Sequence, residues 1–154
     1  MPDRPPVVYL SARYDRRSEL AHYAEDLNAI GYEVQARWLT NEDVSVDPLS
    51  PLDEQQRIYG ELAKEDVDDV MAADLVLCFT ENPEKTGYTR GGRHVELGIA
   101  LGQGKVIFLV GPRENVFHWL PGVVHYPDWI SARADLSALL RLSPICGRLA
   151  EGRL

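Results

Sequence analysis

The sequence is poor in cysteine, with only Cys78 inside an apolar run and Cys146 near the tail. Two thiols so placed make neither a disulfide framework nor the paired spacing of a zinc site, so both read as reduced, Cys78 as a buried one. Long apolar runs are missing too. Nothing approaches the ~20 residues of a membrane span, and the opening Met1-Pro2-Asp3-Arg4-Pro5-Pro6 has neither the charged region nor the apolar stretch of a signal peptide. A cytoplasmic protein with no membrane partner is the expectation. Positive charge is also short, with 16 Lys and Arg against 24 Asp and Glu for a net −8. That balance opposes binding to a nucleic-acid polymer, which needs a basic surface, but leaves one phosphate within reach of a few local arginines. The chain has no internal repeat and no low-complexity segment. Its 154 residues predict one domain with a core over about 7–142.

What is present is an alternation of two periodicities. Val7 to Ser11 is a short β-branched and aromatic run, read as a buried first strand. Leu20, Tyr23, Ala24, Leu27 and Ile30 then recur at helical spacing and stop at Gly31, a C-cap signal. Tyr32 to Trp38 reads as a second strand, and Thr40 to Leu52 as a loop long enough to serve a ligand. Asp53 to Ala73 is a long helix with a charged outer face, and Leu75 to Phe79 a strand apolar throughout, as strands buried on both faces are. A polar loop over 81–90, a helix over Gly92 to Leu101, a strand over Val106 to Val110, a loop over 111–122, a short strand over Val123 to Tyr126 and a helix over Ala132 to Leu142 complete the pattern. Strands alternating with helices imply right-handed βαβ units. The expected architecture is α/β, a three-layer sandwich around a mostly parallel sheet of about five strands, flavodoxin- or Rossmann-like.

In such sheets ligands bind beyond the carboxyl ends of the strands. The loops there carry polar clusters: Ser11-Ala12-Arg13-Tyr14-Asp15-Arg16-Arg17, then Thr86 to Glu96, then Gly111 to His118. Glu96 is expected in the first turn of its helix, just past Gly91 and Gly92, whose missing side chains let a ligand approach. There the helix dipole would lower its pKa and keep it ionised. Position alone favours a plainer reading, because Glu is common in first helical turns. Asp66 sits in a run of charges that ordinarily forms a solvated face, and Tyr9 in a buried strand is ordinarily a packing residue. His94, His118 and His125 lack ligand spacing, so no metal is expected, and Gly102-Gln103-Gly104-Lys105 reads as a helix cap and turn.

Tyr9-Leu10-Ser11-Ala12-Arg13, then Asp66 ahead of Ala73-Asp74-Leu75-Val76-Leu77, then Glu96-Leu97-Gly98-Ile99-Ala100-Leu101-Gly102-Gln103-Gly104-Lys105 together resemble the nucleoside 2-deoxyribosyltransferase family. That family includes relatives that hydrolyse 2′-deoxynucleoside 5′-monophosphates, and the similarity spans roughly residues 7 to 130. The resemblance implies an enzyme that breaks an N-glycosidic bond without a cofactor. Glu96 would attack the anomeric carbon and hold the deoxyribosyl group as an ester. Asp66 would deliver a proton to the leaving base, and Tyr9 would orient Glu96. Ser11 and Arg13 match the Ser-x-Arg arrangement of the nucleotide-hydrolysing relatives, with Arg16 and Arg93 as further phosphate candidates. Gly91 and Gly92 would border the substrate, and Trp38 or Tyr88 would stack on the base. The family assembles so that a neighbouring subunit completes each site, which makes Asn115 and His118 contributors across a homo-oligomer interface. One departure stands out: the Asp-x-Gly-Thr that many members carry before the glutamate is absent, so the preferred base is open.

Two other readings remain on the same fold. One is a nucleotide-binding or sensing module without turnover. The other is a response-regulator-like signalling domain, disfavoured because the third strand runs into Phe79-Thr80 where a phosphoacceptor aspartate would stand.

Overall fold

A computed structural model describes residues 4–41, 46–82, 84 and 91–142. Five parallel strands form one sheet: β1 (Val7–Ser11), β2 (Glu33–Val34), β3 (Leu75–Phe79), β4 (Val106–Val110) and β5 (Val123–Tyr126). Their order is β2-β1-β3-β4-β5. Four helices cover it: α1 (Arg17–Ile30), α2 (Leu52–Ala72), α3 (Gly92–Gly102) and α4 (Trp129–Arg141). The α/β reading therefore holds, and every strand pair is parallel.

The layers follow from burial. Every residue of β1 and of β3 is buried, which requires cover on both faces. One layer joins α1 and α4, where Tyr23 stacks on Trp129 with centroids 4.5 Å apart and the Tyr32 hydroxyl donates to the Leu136 carbonyl at 3.0 Å. The other layer joins α2 and α3. Helix α1 stops where Gly31 takes φ 110°, its N–H reaching back to the Leu27 and Asn28 carbonyls. Helix α4 begins three residues before the expected Ala132, because the Asp128 side chain accepts the Ser131 N–H at 2.8 Å and caps it.

The second strand is shorter than expected. Only Glu33–Val34 pair with β1, and Arg37–Leu39 form a 3-10 turn. The cause is Asp69 of α2, whose side chain is fully buried. It accepts the Arg37 backbone N–H at 2.8 Å, Arg37 Nε at 2.9 Å and Gln35 Nε2 at 3.1 Å. A buried carboxylate needs such donors, and taking them pulls the chain off the sheet edge. The turn swings Trp38 inward, where its indole N–H donates to the Leu10 carbonyl at 2.9 Å.

Because β1 and β3 are neighbours and the chain leaves them in opposite directions, their carboxyl ends border the crevice of the sheet. Beside it, β4 is followed by Gly111, whose φ of 113° and close approach to Thr80 leave no room for a side chain: a Cβ there would stand 2.6 Å from Thr80 Oγ1. That contact fixes where the loop after β4 departs.

Asp69→Ala should lower stability by about 2–4 kcal/mol, since Arg37 and Gln35 lose a buried acceptor at once. Urea denaturation at neutral pH measures this, and a loss under about 1 kcal/mol would refute the role given to Asp69.

Candidate active site

Three elements bring the chemistry together at the β1–β3 crevice. Tyr9 and Ser11 come from β1, both without solvent exposure. Glu96 comes from α3, on the face that also carries the buried Arg93, Leu97 and Ala100 at helical spacing. Ser11 Oγ donates to Glu96 Oε2 at 2.5 Å and stands 3.5 Å from the Arg93 carbonyl oxygen. Asp66 is half-buried on α2 and close enough to act electrostatically on both Glu96 and Tyr9.

Helix α3 begins at Gly92 as expected, but Glu96 is its fifth residue and not part of the first turn, and the consequence is a change of sign. Gly91, at φ 79°, is the N-cap, so Glu96 lies in the second turn and the first turn holds no acid. The dipole fades over one turn. Burial wins instead: it pushes Glu96 up to about 7, with Asp66 adding to the rise and the Ser11 hydroxyl, Tyr9 and Arg93 opposing it. Asp66 rises to about 6, first through burial, then through Asp69 and Glu65, with Arg37 opposing. Two neighbouring carboxyl groups both raised in this way can share one proton. Burial, Glu96 and Asp66 together raise the Tyr9 phenol far above its ordinary value, so it stays protonated. Its hydroxyl is buried close enough to Glu96 to favour the carboxylate, though outside strict hydrogen-bond geometry.

The arginines divide differently from the expectation. Arg16 pairs with Glu19 at 2.7 Å and Glu81 at 2.9 Å, lies over the Phe79 ring and straps the loop after β1 to the loop after β3. Arg93 is buried and pairs with both oxygens of Glu114, one of them at 2.7 Å. Both are held by carboxylates of the chain. Arg13 pairs with Asp15 at 2.7 Å, an acid that is itself exposed and two residues away, so this contact can be exchanged for a ligand anion.

Asn115 and His118 are occupied within their own loop. The Asn115 side chain accepts the Phe117 N–H and caps the Val116–Trp119 turn, and fully buried His118 accepts the Glu114 N–H at Nδ1. His118 is thus enclosed in its own subunit, whereas Asn115 remains part-exposed. Gly91 and Gly92 open α3 beside the site, and Tyr88 lies outside the described residues. Two features were missed. Tyr14 is exposed and lies 6.3 Å from Trp38, making an aromatic pair next to the end of β1, and its place in the polar cluster after Ser11 was the available signal. The other is a cluster of His94, Glu114 and His118, with ligand atoms within 4.8 Å of one another. Spacing along the chain could not reveal it, because β4 separates its members. Its positive charge is Arg93, which also donates to His94 Nε2 at 3.1 Å. Burial holds both imidazoles below their ordinary pKa.

No family model and no curated protein matches the chain. Its fold is that of two solved structures. The first is the CMP N-glycosidase BcmB of Clostridium botulinum, with TM-score 0.56 and 20% identity over 86% of this chain and 98% of that one. The second is a 2-deoxyribosyltransferase from Bacillus psychrosaccharolyticus, with TM-score 0.58 and 15% identity over 84% of this chain and 95% of that one. At these identities the likeness is one of architecture.

The raised Glu96 value has a consequence for stability. Its folded-state pKa of about 7 lies above the ordinary 4.5, so the native state holds the extra proton between those values. Stability from this group therefore falls as pH rises through that window. Glu96→Gln should leave stability near wild type at pH 5 and raise it by roughly 1–3 kcal/mol at pH 8. Denaturation at the two pH values measures the difference, and a variant less stable than wild type at pH 8 would contradict it.

Proposed function

We propose that this protein cleaves the N-glycosidic bond of a 2′-deoxynucleoside or its 5′-monophosphate, with Glu96 as nucleophile. The observation that carries the reading is the partly buried pair of Glu96 and Asp66, met by Ser11 and Tyr9 at the switch point of the sheet. Two adjacent carboxyl groups that can share one proton supply, in the form with Glu96 ionised and Asp66 protonated, the nucleophile and the acid that a two-step displacement at an acetal-like carbon requires. In the first step a Glu96 oxygen forms a bond to C1′ while the C1′–N bond breaks. The electron pair passes to the base nitrogen, and the proton of Asp66 neutralises it there or through a relay. In the second step water or another base attacks C1′ and gives its proton to the Asp66 carboxylate as the C1′–O bond to Glu96 breaks, freeing Glu96 as a carboxylate. The likeness to an N-glycosidase and to a deoxyribosyltransferase supports both outcomes. With CMP in the name of one neighbour, the 2′-hydroxyl becomes a group to test.

The Ser11–Arg13 segment at the crevice supports a 5′-phosphate, held by Arg13 in exchange for Asp15. The Tyr14–Trp38 pair supports a stacked base. Homo-oligomerisation is supported by Val116, Phe117, Trp119 and Leu120, a run of exposed apolar side chains on the loop after β4. A role in nucleotide salvage accords with this chemistry. No helix among the described residues is long and apolar enough to cross a membrane.

Base release from the four deoxynucleosides, their monophosphates and CMP, followed with and without a second free base, tests the reading. Free sugar or sugar phosphate reports hydrolysis, and exchanged base reports transfer. Glu96→Ala should lower cleavage at least about 1,000-fold. Turnover needs Glu96 ionised and Asp66 protonated, so kcat/KM should be bell-shaped with limbs at about 6 and about 7. A flat profile across that range, or wild-type turnover in Glu96→Ala, would refute the mechanism.

Arg13→Ala should raise KM for monophosphates about tenfold or more and leave nucleosides nearly unchanged. Equal losses for both substrate classes would remove the phosphate contact.

A further inference from the structure

A group of buried and partly buried charged and polar side chains lies where α3 meets the loop after β4. Arg93 is 5% exposed, and its guanidinium takes both oxygens of Glu114 and donates to His94 Nε2 at 3.1 Å. Arginine has only donors, so His94 Nε2 is the bare nitrogen of a neutral ring. His118 likewise accepts the Glu114 N–H at a bare Nδ1, 3.0 Å away. The group thus carries one positive and one negative charge, each held by the other.

Arg93 is also one helical turn ahead of Glu96 on the same buried face, and its carbonyl oxygen faces the Ser11 hydroxyl that serves Glu96. The groups around Glu96 are Tyr9 and Ser11 from β1, Cys78 from β3, Asp66 from α2 and Arg93 from α3, with Asp69 behind Tyr9 and Glu114 and His94 behind Arg93. Tyr9 and Cys78 stay neutral while Glu96 titrates, the thiol being pushed up to about 12 by burial. Asp66 titrates alongside. Among the described residues Arg93 is the fixed cation that acts most strongly on Glu96. A buried guanidinium without an acid partner turns to the nearest carboxylate, and a carboxylate gripped by it is a poor nucleophile.

We propose that Glu114 is a positioning residue for the reaction: it takes up the Arg93 guanidinium and so keeps that charge from pairing with Glu96 one turn away. The proposal rests on Glu96 being the nucleophile only in its consequence for turnover. The effect on Glu96 itself does not depend on the reaction.

The test is a pH titration of the Glu96 carboxyl by 13C NMR on glutamate-labelled full-length protein, assigned by its loss in Glu96→Gln. Glu114→Gln leaves Arg93 uncompensated, so the Glu96 midpoint should fall by about one pH unit. Arg93→Gln should raise it by about half a unit or more, and the double variant should return to within about 0.3 of wild type. In turnover, the limb that reports Glu96 should move with the NMR midpoint, and kcat of Glu114→Gln should drop while KM holds. If Glu114→Gln does not fold, Glu114→Asp, which keeps the charge but withdraws it, should move the midpoint in the same direction by less. An unmoved midpoint in a folded Glu114 variant, or a double variant that keeps a single variant's shift, would overturn the proposal. Calorimetric titration with zinc chloride is expected to show no saturable binding. Saturable binding lost in His94→Ala would also overturn it, because a metal there takes Glu114 from Arg93. Shifted midpoints in a protein that cleaves none of the substrates would sink the functional reading and leave the charge pair standing.

Discussion

A carboxylate withdrawn from water at the junction of β1, β3 and α3 is the constraint on which the rest of the site depends. Removing solvent from Glu96 costs more than one hydroxyl and a nearby phenol return, so the group rests near half-ionisation and not as a fixed anion. A permanently charged carboxylate in that position would demand a cation of its own, and a paired carboxylate is a weak nucleophile. A solvated one would ionise freely but would lose reactivity to its water shell. The burial that raises the group and the fold that buries it are one arrangement.

The arginines around the crevice illustrate how a chain with excess negative charge spends its cations. Arg16 ties two loops through Glu19 and Glu81, Arg37 satisfies Asp69, and Arg93 satisfies Glu114. Each joins segments distant in sequence, so each fixes a loop at the carboxyl end of the sheet. Partly or fully buried pairs of this kind are costly to break even where they are worth little against an apolar substitute. They therefore restrict geometry more than they raise stability. Arg13 meets an exposed acid two residues away, Asp15, and a ligand anion can replace that contact.

Apolar periodicity carried most of the fold. β1, β3, β4 and β5 fall within the expected ranges, because fully apolar runs of this length have no stable alternative to a covered sheet. Helix α1 ends at Gly31 as expected, since its cap is local. The expected strand over Tyr32–Trp38 stops after Val34, because the group that ends it, Asp69, belongs to a helix more than thirty residues on. A residue's β-propensity carries no information about a carboxylate arriving from elsewhere.

The candidate site divides along the same line. The identities of Tyr9, Ser11, Asp66 and Glu96 were legible because each occurs in a short motif read along the chain. Their protonation was not: the expected low pKa of Glu96 became a raised one, since burial is a property of all the elements that close over a group. Likewise Arg93 could be read from sequence as a phosphate ligand, but the partner that occupies it, Glu114, arrives from beyond β4. Local sequence determined which chemical groups this protein has and on which elements they ride, because periodicity and capping act over a few residues. Tertiary structure alone decided which groups are dry, which are paired and which hold a proton, because solvent exclusion and Coulomb interaction act through space and ignore distance along the chain.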